Sequence, residues 1–248
     1  MPDLKDLKVR MFADGADLAV IAELARHPLI TGFTTNPTLM CKANVRDYKA
    51  FALDMLQIVP TRPVSFEVFS DDFAEMERQA HEIASWGPNV YVKIPVTNTK
   101  GEFSGPLVKR LSAGGTQVNV TALLTMDQVT RVASVLSPRT RSYVSVFAGR
   151  VADTGRDPVE LMRQSVEILS ANHRAELIWA SPRELLNIFQ ANDVGCHVIT
   201  VTRDLLAKLP MVGKDLDELS LDTVRMFRQD AVNAGYTIDP VLPRRTAA

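Results

Sequence analysis

Cysteine and histidine are scarce in this sequence. Its 248 residues contain two cysteines, Cys41 and Cys196, and four histidines. Two thiols cannot form a disulfide framework, and we expect both to be buried and reduced. Because these residues do not share the spacing of a metal-binding motif, the sequence predicts no metal site.

Long apolar segments and N-terminal targeting signals are also missing. The longest stretch without a charged residue, Leu111 to Met126, has 16 residues and contains two glycines, a glutamine and an asparagine. A transmembrane helix needs about 20 mostly apolar residues, so we expect no membrane span. The opening residues MPDLKDLKVRMF carry acids where a signal peptide has a basic region and then an apolar run, so we expect a cytoplasmic protein.

Neither sign of charge is in excess. Lysine and arginine number 28 and aspartate and glutamate 29, which gives a formal net charge of -1. Balanced charge argues against a nucleic acid or an anionic membrane as partner. The sequence has no Walker A loop and no G-x-G-x-x-G motif after its first strand, so nucleotide binding has no support either.

Eight short runs of β-branched and apolar residues predict eight strands, and segments with the apolar spacing of a helix lie between them. The strands begin about 27 residues apart, which suffices for one strand, one helix and two short loops. The predicted strands are 9–13, 29–35, 63–69, 89–96, 116–123, 142–148, 176–181 and 197–202, and the predicted helices are 17–26, 45–58, 73–86, 105–111, 126–136, 158–169, 182–190 and 203–209.

The count of eight strand–helix units favours a single α/β domain over residues 1–248, folded as a (β/α)8 TIM barrel. The alternative, an open doubly wound sheet, usually has five or six strands. A ninth helix, predicted at 220–234 and followed by a short tail, would pack across one end of the barrel or against a neighbouring subunit.

Polar side chains interrupt the predicted strands, nearly all in the C-terminal half of the strand. A polar group inside a strand of a parallel barrel needs a partner, because both faces of the strand are buried. Barrel active sites are built at the C-terminal strand ends, so this distribution indicates one site. The residues are Asp14, Asn36, Glu67, Lys93, Asn119, Thr121, Ser145 and Ser181.

Lys93 is the most informative of these residues. Burial in an apolar strand favours a neutral amine, which is a nucleophile that forms a Schiff base with a ketone or aldehyde. The Schiff base withdraws electrons and permits cleavage of a neighbouring carbon–carbon bond, while Asp14 and Glu67 are placed to move protons. Arg150 and Arg183, after the sixth and seventh strands, suggest a phosphate clamp, with Arg183 at a helix start.

Each of these residues also has a structural interpretation. A buried ion pair with Glu67 or Asp14 is the alternative for Lys93. Asp14 and Asn36 are each typical of turns, and the arginines taken singly are typical of surface ion pairs. Only the joint placement of the residues favours a reactive site.

Seven segments of the sequence resemble the transaldolase family. The members of this family are Schiff-base enzymes related to the class I aldolases, and they include fructose-6-phosphate aldolase. The resemblance runs from about Phe12 to about Thr202, with the segments in the family's order. They are FADGAD at Asp14, GFTTNPTL at Asn36, SFEV at Glu67, VKIPVT at Lys93, NVTALLT at Asn119 and Thr121, SVFAGR from Ser145 to Arg150, and ASPREL from Ser181 to Arg183.

The resemblance implies a role for each matched residue. Lys93 would form the Schiff base with a ketose donor, and Asp14 would carry the proton of the hydroxyl at the cleaved bond. Glu67 would act through a water held with Thr121. The substrate would be bound by Asn36, Asn119, Ser145 and Phe147 around the dihydroxyacetone unit and by Arg150, Ser181 and Arg183 around the phosphate.

Two positions bear on the choice between transfer and simple cleavage. Aldolase-type members of the family carry glutamine and tyrosine where this chain has Glu67 and Phe147. The resemblance therefore implies a transaldolase that acts on sugar phosphates, needs no cofactor and forms homo-oligomers. The alternatives are an aldolase that releases dihydroxyacetone and a sugar-phosphate-binding barrel without catalysis.

Overall fold

The computed structural model of the protein describes residues 4–238, so most of the predicted C-terminal tail lies outside the described residues. The described chain divides into a barrel unit that ends at Ala207 and a second unit that begins at Lys208. The expectation of a single domain over residues 1–248 stays a prediction.

Eight parallel strands close into a barrel in sequence order, with the first strand paired to the last. All eight predicted strands and the (β/α)8 fold are therefore confirmed. The strands are β1 Arg10–Asp14, β2 Ile30–Thr34, β3 Val64–Glu67, β4 Val90–Pro95, β5 Val118–Leu123, β6 Ser142–Val146, β7 Ala175–Trp179 and β8 Val198–Val201.

Helices connect the strands, and one longer helix lies in the second unit. None of the helices in residues 4–238 is long and apolar enough to span a membrane. The helices are α1 Leu18–Leu24, α2 Pro37–Lys42, α3 Tyr48–Ile58, α4 Phe73–Ala84, α5 Gly105–Ala113, α6 Met126–Ala133, α7 Ala148–Ala152, α8 Val159–Leu169, α9 Leu186–Asp193, α10 Arg203–Leu206 and α11 Leu216–Asn233.

The helix boundaries follow local capping signals. Asp72 caps α4 by accepting a hydrogen bond from the Glu75 N–H, and Thr125 forms a capping box with Gln128 at the start of α6. The predicted helices all have counterparts, whereas α2 and α7 were not predicted. Six and five residues are too few to show a helical apolar period.

Two local predictions were wrong. The helix predicted from Pro182 begins at Leu186, because Ser181 adopts a left-handed backbone conformation (φ +59°) and the chain needs four more residues to enter the helix. Cys196 is buried as expected, but Cys41 is exposed on the short helix α2.

An aromatic layer fills the barrel interior beneath the polar strand ends. Phe12, Tyr91 and Tyr143 belong to one buried cluster, in which the ring centroids of Phe12 and Tyr143 lie 5.5 Å apart and those of the two tyrosines 4.4 Å apart. Side chains two residues apart on a strand share a face, so Asp14 and Lys93 lie on the same inner face, one step toward the C-terminal end. The aromatic layer thus forms a floor below them.

Candidate active site

One cavity of about 510 Å³ lies at the C-terminal ends of the strands. All the residues predicted for the site line this cavity, which brings seven separate segments of the chain together. They are Asp14, Asn36, Glu67, Lys93, Asn119, Thr121, Ser145, Phe147, Arg150, Ser181 and Arg183.

Lys93 is buried in the cavity wall, with only 6% of its surface exposed. Its Nζ donates a hydrogen bond to the Thr35 carbonyl at 2.7 Å and lies 3.1 Å from Oε2 of Glu67. The ion pair proposed as the structural alternative therefore exists, with Glu67 as the partner. The same geometry places a carboxylate within proton-transfer distance of the amine.

Strand register explains why these side chains meet. Glu67 on β3 is paired with Lys93 on β4, which is paired in turn with Asn119 on β5. The Asn119 amide donates to the Ser65 hydroxyl at 3.0 Å and accepts from the Ser145 hydroxyl at 2.7 Å. This fully buried amide is therefore held in one orientation beside the lysine.

Asp14 lies at the end of β1, and its Oδ1 accepts a hydrogen bond from the Thr34 hydroxyl at 2.8 Å. Burial raises the pKa of Asp14 above its usual range, although the nearby charge of Lys93 and the bond from Thr34 act in the opposite direction. A carboxyl group with a raised pKa can hold and release a proton closer to neutral pH.

The Thr121 hydroxyl is buried and has no hydrogen-bond partner in the described part of the chain, and Thr121 lines the cavity. The following residue, Ala122, has a left-handed backbone (φ +64°), and the register between β5 and β6 shifts at this point. A bulge of this kind turns consecutive residues toward one side, which explains why Thr121 and Ala122 both line the cavity. The unpaired hydroxyl therefore marks Thr121 as a candidate for binding a water or a substrate group.

On the far side of the cavity, α7 is packed tightly against the end of β7. The Gly149 N–H donates to the Ala180 carbonyl at 3.3 Å, and a Cβ on Gly149 would lie 1.5 Å from the Ser181 carbonyl oxygen. Only glycine permits this approach. It brings Arg150, on α7, next to the loop that carries Ser181 and Arg183.

The two arginines have different surroundings. The Arg150 guanidinium lies 5.2 Å from the centroid of the Phe147 ring, whereas Arg183 is paired with Asp153, to which its Nε donates at 2.9 Å. The hydrogen bond from Arg183 lowers the pKa of Asp153. The predicted helix N-terminus at Arg183 was wrong, because α9 starts at Leu186 and Arg183 lies ahead of its first turn.

Asn36 was predicted either as a turn residue or as a residue of the site, and the structure is consistent with both. Its Oδ1 accepts from the Leu39 N–H at 3.0 Å and caps α2, as the turn interpretation implied. Asn36 also lines the cavity. Within residues 4–238, no group of three or more His, Cys, Asp or Glu side chains is placed to hold a metal ion.

Several cavity residues were not predicted from the sequence. Thr34 is the strand neighbour of Asp14, and Thr200 is a buried threonine inside β8. Threonine is common in strands, so neither stood out as polar. Lys42 was missed because the helix that carries it, α2, was not predicted.

A family model described as Transaldolase/Fructose-6-phosphate aldolase matches residues 11–242. A protein of Dehalococcoides mccartyi named "Probable transaldolase" is 34% identical over 202 residues, which cover 81% of this chain and 90% of the relative. A protein of the same name from Thermoanaerobacter sp. is 33% identical over 231 residues, 93% of this chain and 100% of the relative.

Solved structures with a similar fold have low sequence identity. KGPDC from Streptococcus mutans superposes with a TM-score of 0.55 at 10% identity, covering 80% of this chain and 89% of its own. The 3-keto-L-gulonate-6-phosphate decarboxylase of Vibrio cholerae gives 0.54 at 12% identity, with coverages of 79% and 88%. These two structures support the barrel fold alone.

Proposed function

This chain belongs to the transaldolase/fructose-6-phosphate aldolase family, and we propose that it is a transaldolase that moves a dihydroxyacetone unit between sugar phosphates through a Schiff base on Lys93. The observation that carries the proposal is the position of the Lys93 Nζ, buried in the cavity 3.1 Å from the Glu67 carboxylate and 2.7 Å from the Thr35 carbonyl. A purely binding barrel has no need of this arrangement beside Asp14.

The first step joins the amine to the donor. Lys93 in its neutral form attacks the ketone carbon of a ketose phosphate, and the carbinolamine then loses water to give the imine. Loss of water requires a proton on the departing hydroxyl. Glu67 supplies it through a water molecule that the unpaired Thr121 hydroxyl also binds.

The second step breaks a carbon–carbon bond. Asp14 takes the proton from the hydroxyl next to the bond, the electron pair of the bond moves into the imine, and an aldose phosphate leaves. The remaining enamine attacks the aldehyde carbon of a second aldose phosphate, whose new hydroxyl receives the proton from Asp14. Hydrolysis of the imine frees the new ketose phosphate and Lys93. The raised pKa of Asp14 suits a group that takes up and returns one proton. None of these reaction steps requires a cofactor.

Substrate orientation follows from the two halves of the cavity. Asn36, Asn119 and Ser145 offer hydrogen bonds to the dihydroxyacetone unit near Lys93. Arg150, Ser181 and Arg183 offer a cationic site for the phosphate at the other side. The Phe147 ring has no hydroxyl, so it cannot protonate the enamine, which favours transfer over release.

Borohydride reduction in the presence of fructose 6-phosphate tests the Schiff base. We expect peptide mass spectrometry to find a reduced three-carbon adduct on Lys93, because the enamine that remains after the aldose phosphate has left is in equilibrium with its imine, which borohydride reduces. If no lysine is labelled, even with dihydroxyacetone supplied, the chain is a binding protein and not a Schiff-base enzyme.

An acceptor titration in the same system separates transferase from aldolase. Donor consumption should rise with the concentration of an aldose phosphate acceptor and be negligible without it. Release of free dihydroxyacetone at an unchanged rate without acceptor would identify the chain as an aldolase.

We also propose that copies of this chain associate through α11. This helix has no buried residue, and its side chains Leu216, Val224 and Phe227, at helical spacing on one face, are 77%, 59% and 63% exposed. We expect sedimentation velocity to show an oligomer that Phe227→Asp dissociates and that Gln229→Asp, on the opposite face, preserves. A monomeric wild type would contradict this proposal.

A further inference from the structure

Tyr48, on helix α3 outside the barrel, is bonded to the main chain of Glu67. Its hydroxyl accepts a hydrogen bond from the Glu67 N–H at 2.8 Å and donates one to the Glu67 carbonyl at 3.0 Å. A single phenol group therefore satisfies both main-chain polar groups of a cavity residue, at the point where β3 ends.

The hydroxyl of Tyr48 takes the place of a main-chain hydrogen bond between strands β2 and β3. Strands β2 and β3 are paired at only two positions, and the Thr35 N–H makes the last main-chain bond, to the Ser65 carbonyl at 3.2 Å. In a regular parallel ladder, the next bond would run from the Glu67 N–H to the Thr35 carbonyl. That carbonyl instead accepts the bond from the Lys93 Nζ.

The bond from Glu67 to Tyr48 and the bond from Lys93 to the Thr35 carbonyl depend on each other. A partly buried N–H without a partner is unfavourable, so Glu67 gives up the Thr35 carbonyl only because another acceptor is present. Tyr48 is that acceptor. The Thr35 carbonyl then remains available to hold Lys93 at 2.7 Å.

An aromatic cluster fixes the position of Tyr48. The centroid of its ring lies 4.5 Å from that of Phe69, 5.6 Å from that of Trp86 and 6.2 Å from that of Phe66, each in an edge-on arrangement. Burial raises the pKa of Tyr48, so its hydroxyl keeps the proton that it donates to Glu67. The cluster and the hydroxyl together form a fixed support behind the active site.

We propose that Tyr48 is a positioning residue of the transfer reaction. It holds the end of β3 so that the Glu67 carboxylate stays beside Lys93, and it leaves the Thr35 carbonyl to orient the amine. Tyr48 does not line the cavity, so it is not placed to touch the substrate. This inference rests on the proposed function, since it assumes that Glu67 transfers protons.

Tyr48→Phe removes the hydroxyl and keeps the ring in its cluster. We expect the kcat of transfer to fall by about tenfold to a hundredfold, because a displacement on the order of 1 Å at a reacting group costs that much. The KM should change by less than about twofold, because no contact with the ground-state substrate is lost. Tyr236→Phe is the matched control, since it removes the hydroxyl of a tyrosine that is 78% exposed and does not line the cavity, and it should leave kcat unchanged.

A double-mutant cycle with Glu67→Gln then tests whether Tyr48 acts through Glu67. In that background, Tyr48→Phe should change kcat by less than about twofold, because a residue that positions a carboxylate has no effect once the carboxylate is gone. Circular dichroism and thermal unfolding establish that each variant is folded.

Three outcomes would contradict the inference, and they differ in what they imply. If Glu67→Gln lowers kcat and Tyr48→Phe does not, only the role of Tyr48 is wrong. If Tyr48→Phe lowers kcat equally in both backgrounds, Tyr48 acts on stability or packing and not through Glu67. If Glu67→Gln itself is silent, the proton-transfer step of the proposed function fails together with the inference.

Discussion

Replacing Lys93 with methionine should reduce turnover by about 10⁴-fold or more, with the barrel still folded. The Schiff base is the only electron sink in the proposed mechanism, and methionine has no nitrogen to form it. Methionine has nearly the length of the lysine stem, so the buried space beside Glu67 stays filled. The measurement is the steady-state rate of transfer from fructose 6-phosphate to an aldose phosphate.

A matched lysine gives the control for this variant. Lys109 is exposed on α5, away from the cavity, and Lys109→Met should leave the transfer rate unchanged. The Lys93→Met enzyme should also form no adduct with borohydride while its circular dichroism spectrum matches that of the wild type. Turnover near the wild-type rate in Lys93→Met would contradict the Schiff-base mechanism.

Much of the barrel and its site could be predicted because both follow from patterns that are local in the sequence. The strand spacing predicted the (β/α)8 barrel, and polar residues late in apolar strands predicted which end holds the site. Lys93 is the clearest case, since burying a charged amine in the apolar run VYVKIPV is costly unless the amine has a partner or a reaction to perform.

The parts that escaped prediction depend on contacts between distant segments or on short elements. The bond from Tyr48 to Glu67 joins a helix to a strand that follows it, and neither residue shows it in the sequence. The left-handed backbone of Ser181 delays α9, although Pro182 suggested a helix start. Cys41 is exposed on α2, whose six residues are too few to show in the sequence which face of the helix is buried.

Replacing Asp14 with asparagine should lower the transfer rate on the order of 10²–10⁴-fold, the usual contribution of a general acid–base group. Asparagine keeps the shape of the side chain and an oxygen that can accept the hydrogen bond from Thr34. It cannot take the proton of the substrate hydroxyl. The imine with Lys93 should still form, so borohydride should trap an adduct that retains the whole donor sugar instead of its three-carbon fragment.

The same substitution should stabilise the protein at neutral pH. Because burial raises the pKa of Asp14 in the folded state, the folded chain holds a proton that the unfolded chain releases in the window between the ordinary and the raised pKa. The free energy of unfolding of the wild type therefore falls as pH rises through that window. Asparagine does not titrate, so Asp14→Asn should have the higher Tm above the window, and its advantage should shrink as pH falls below the ordinary pKa of aspartate.

Thermal unfolding of both proteins across this pH range measures the difference in Tm directly. Asp54→Asn, at an exposed position on α3, removes one carboxylate at the surface and controls for the change in net charge. A Tm advantage that grew toward acid pH would mean that Asp14 is stabilised as a carboxylate in the folded state. The sign of the slope therefore shows whether the folded protein favours Asp14 in its protonated form, as the proposed proton carrier requires, or as a carboxylate, as a structural ion-pair partner requires.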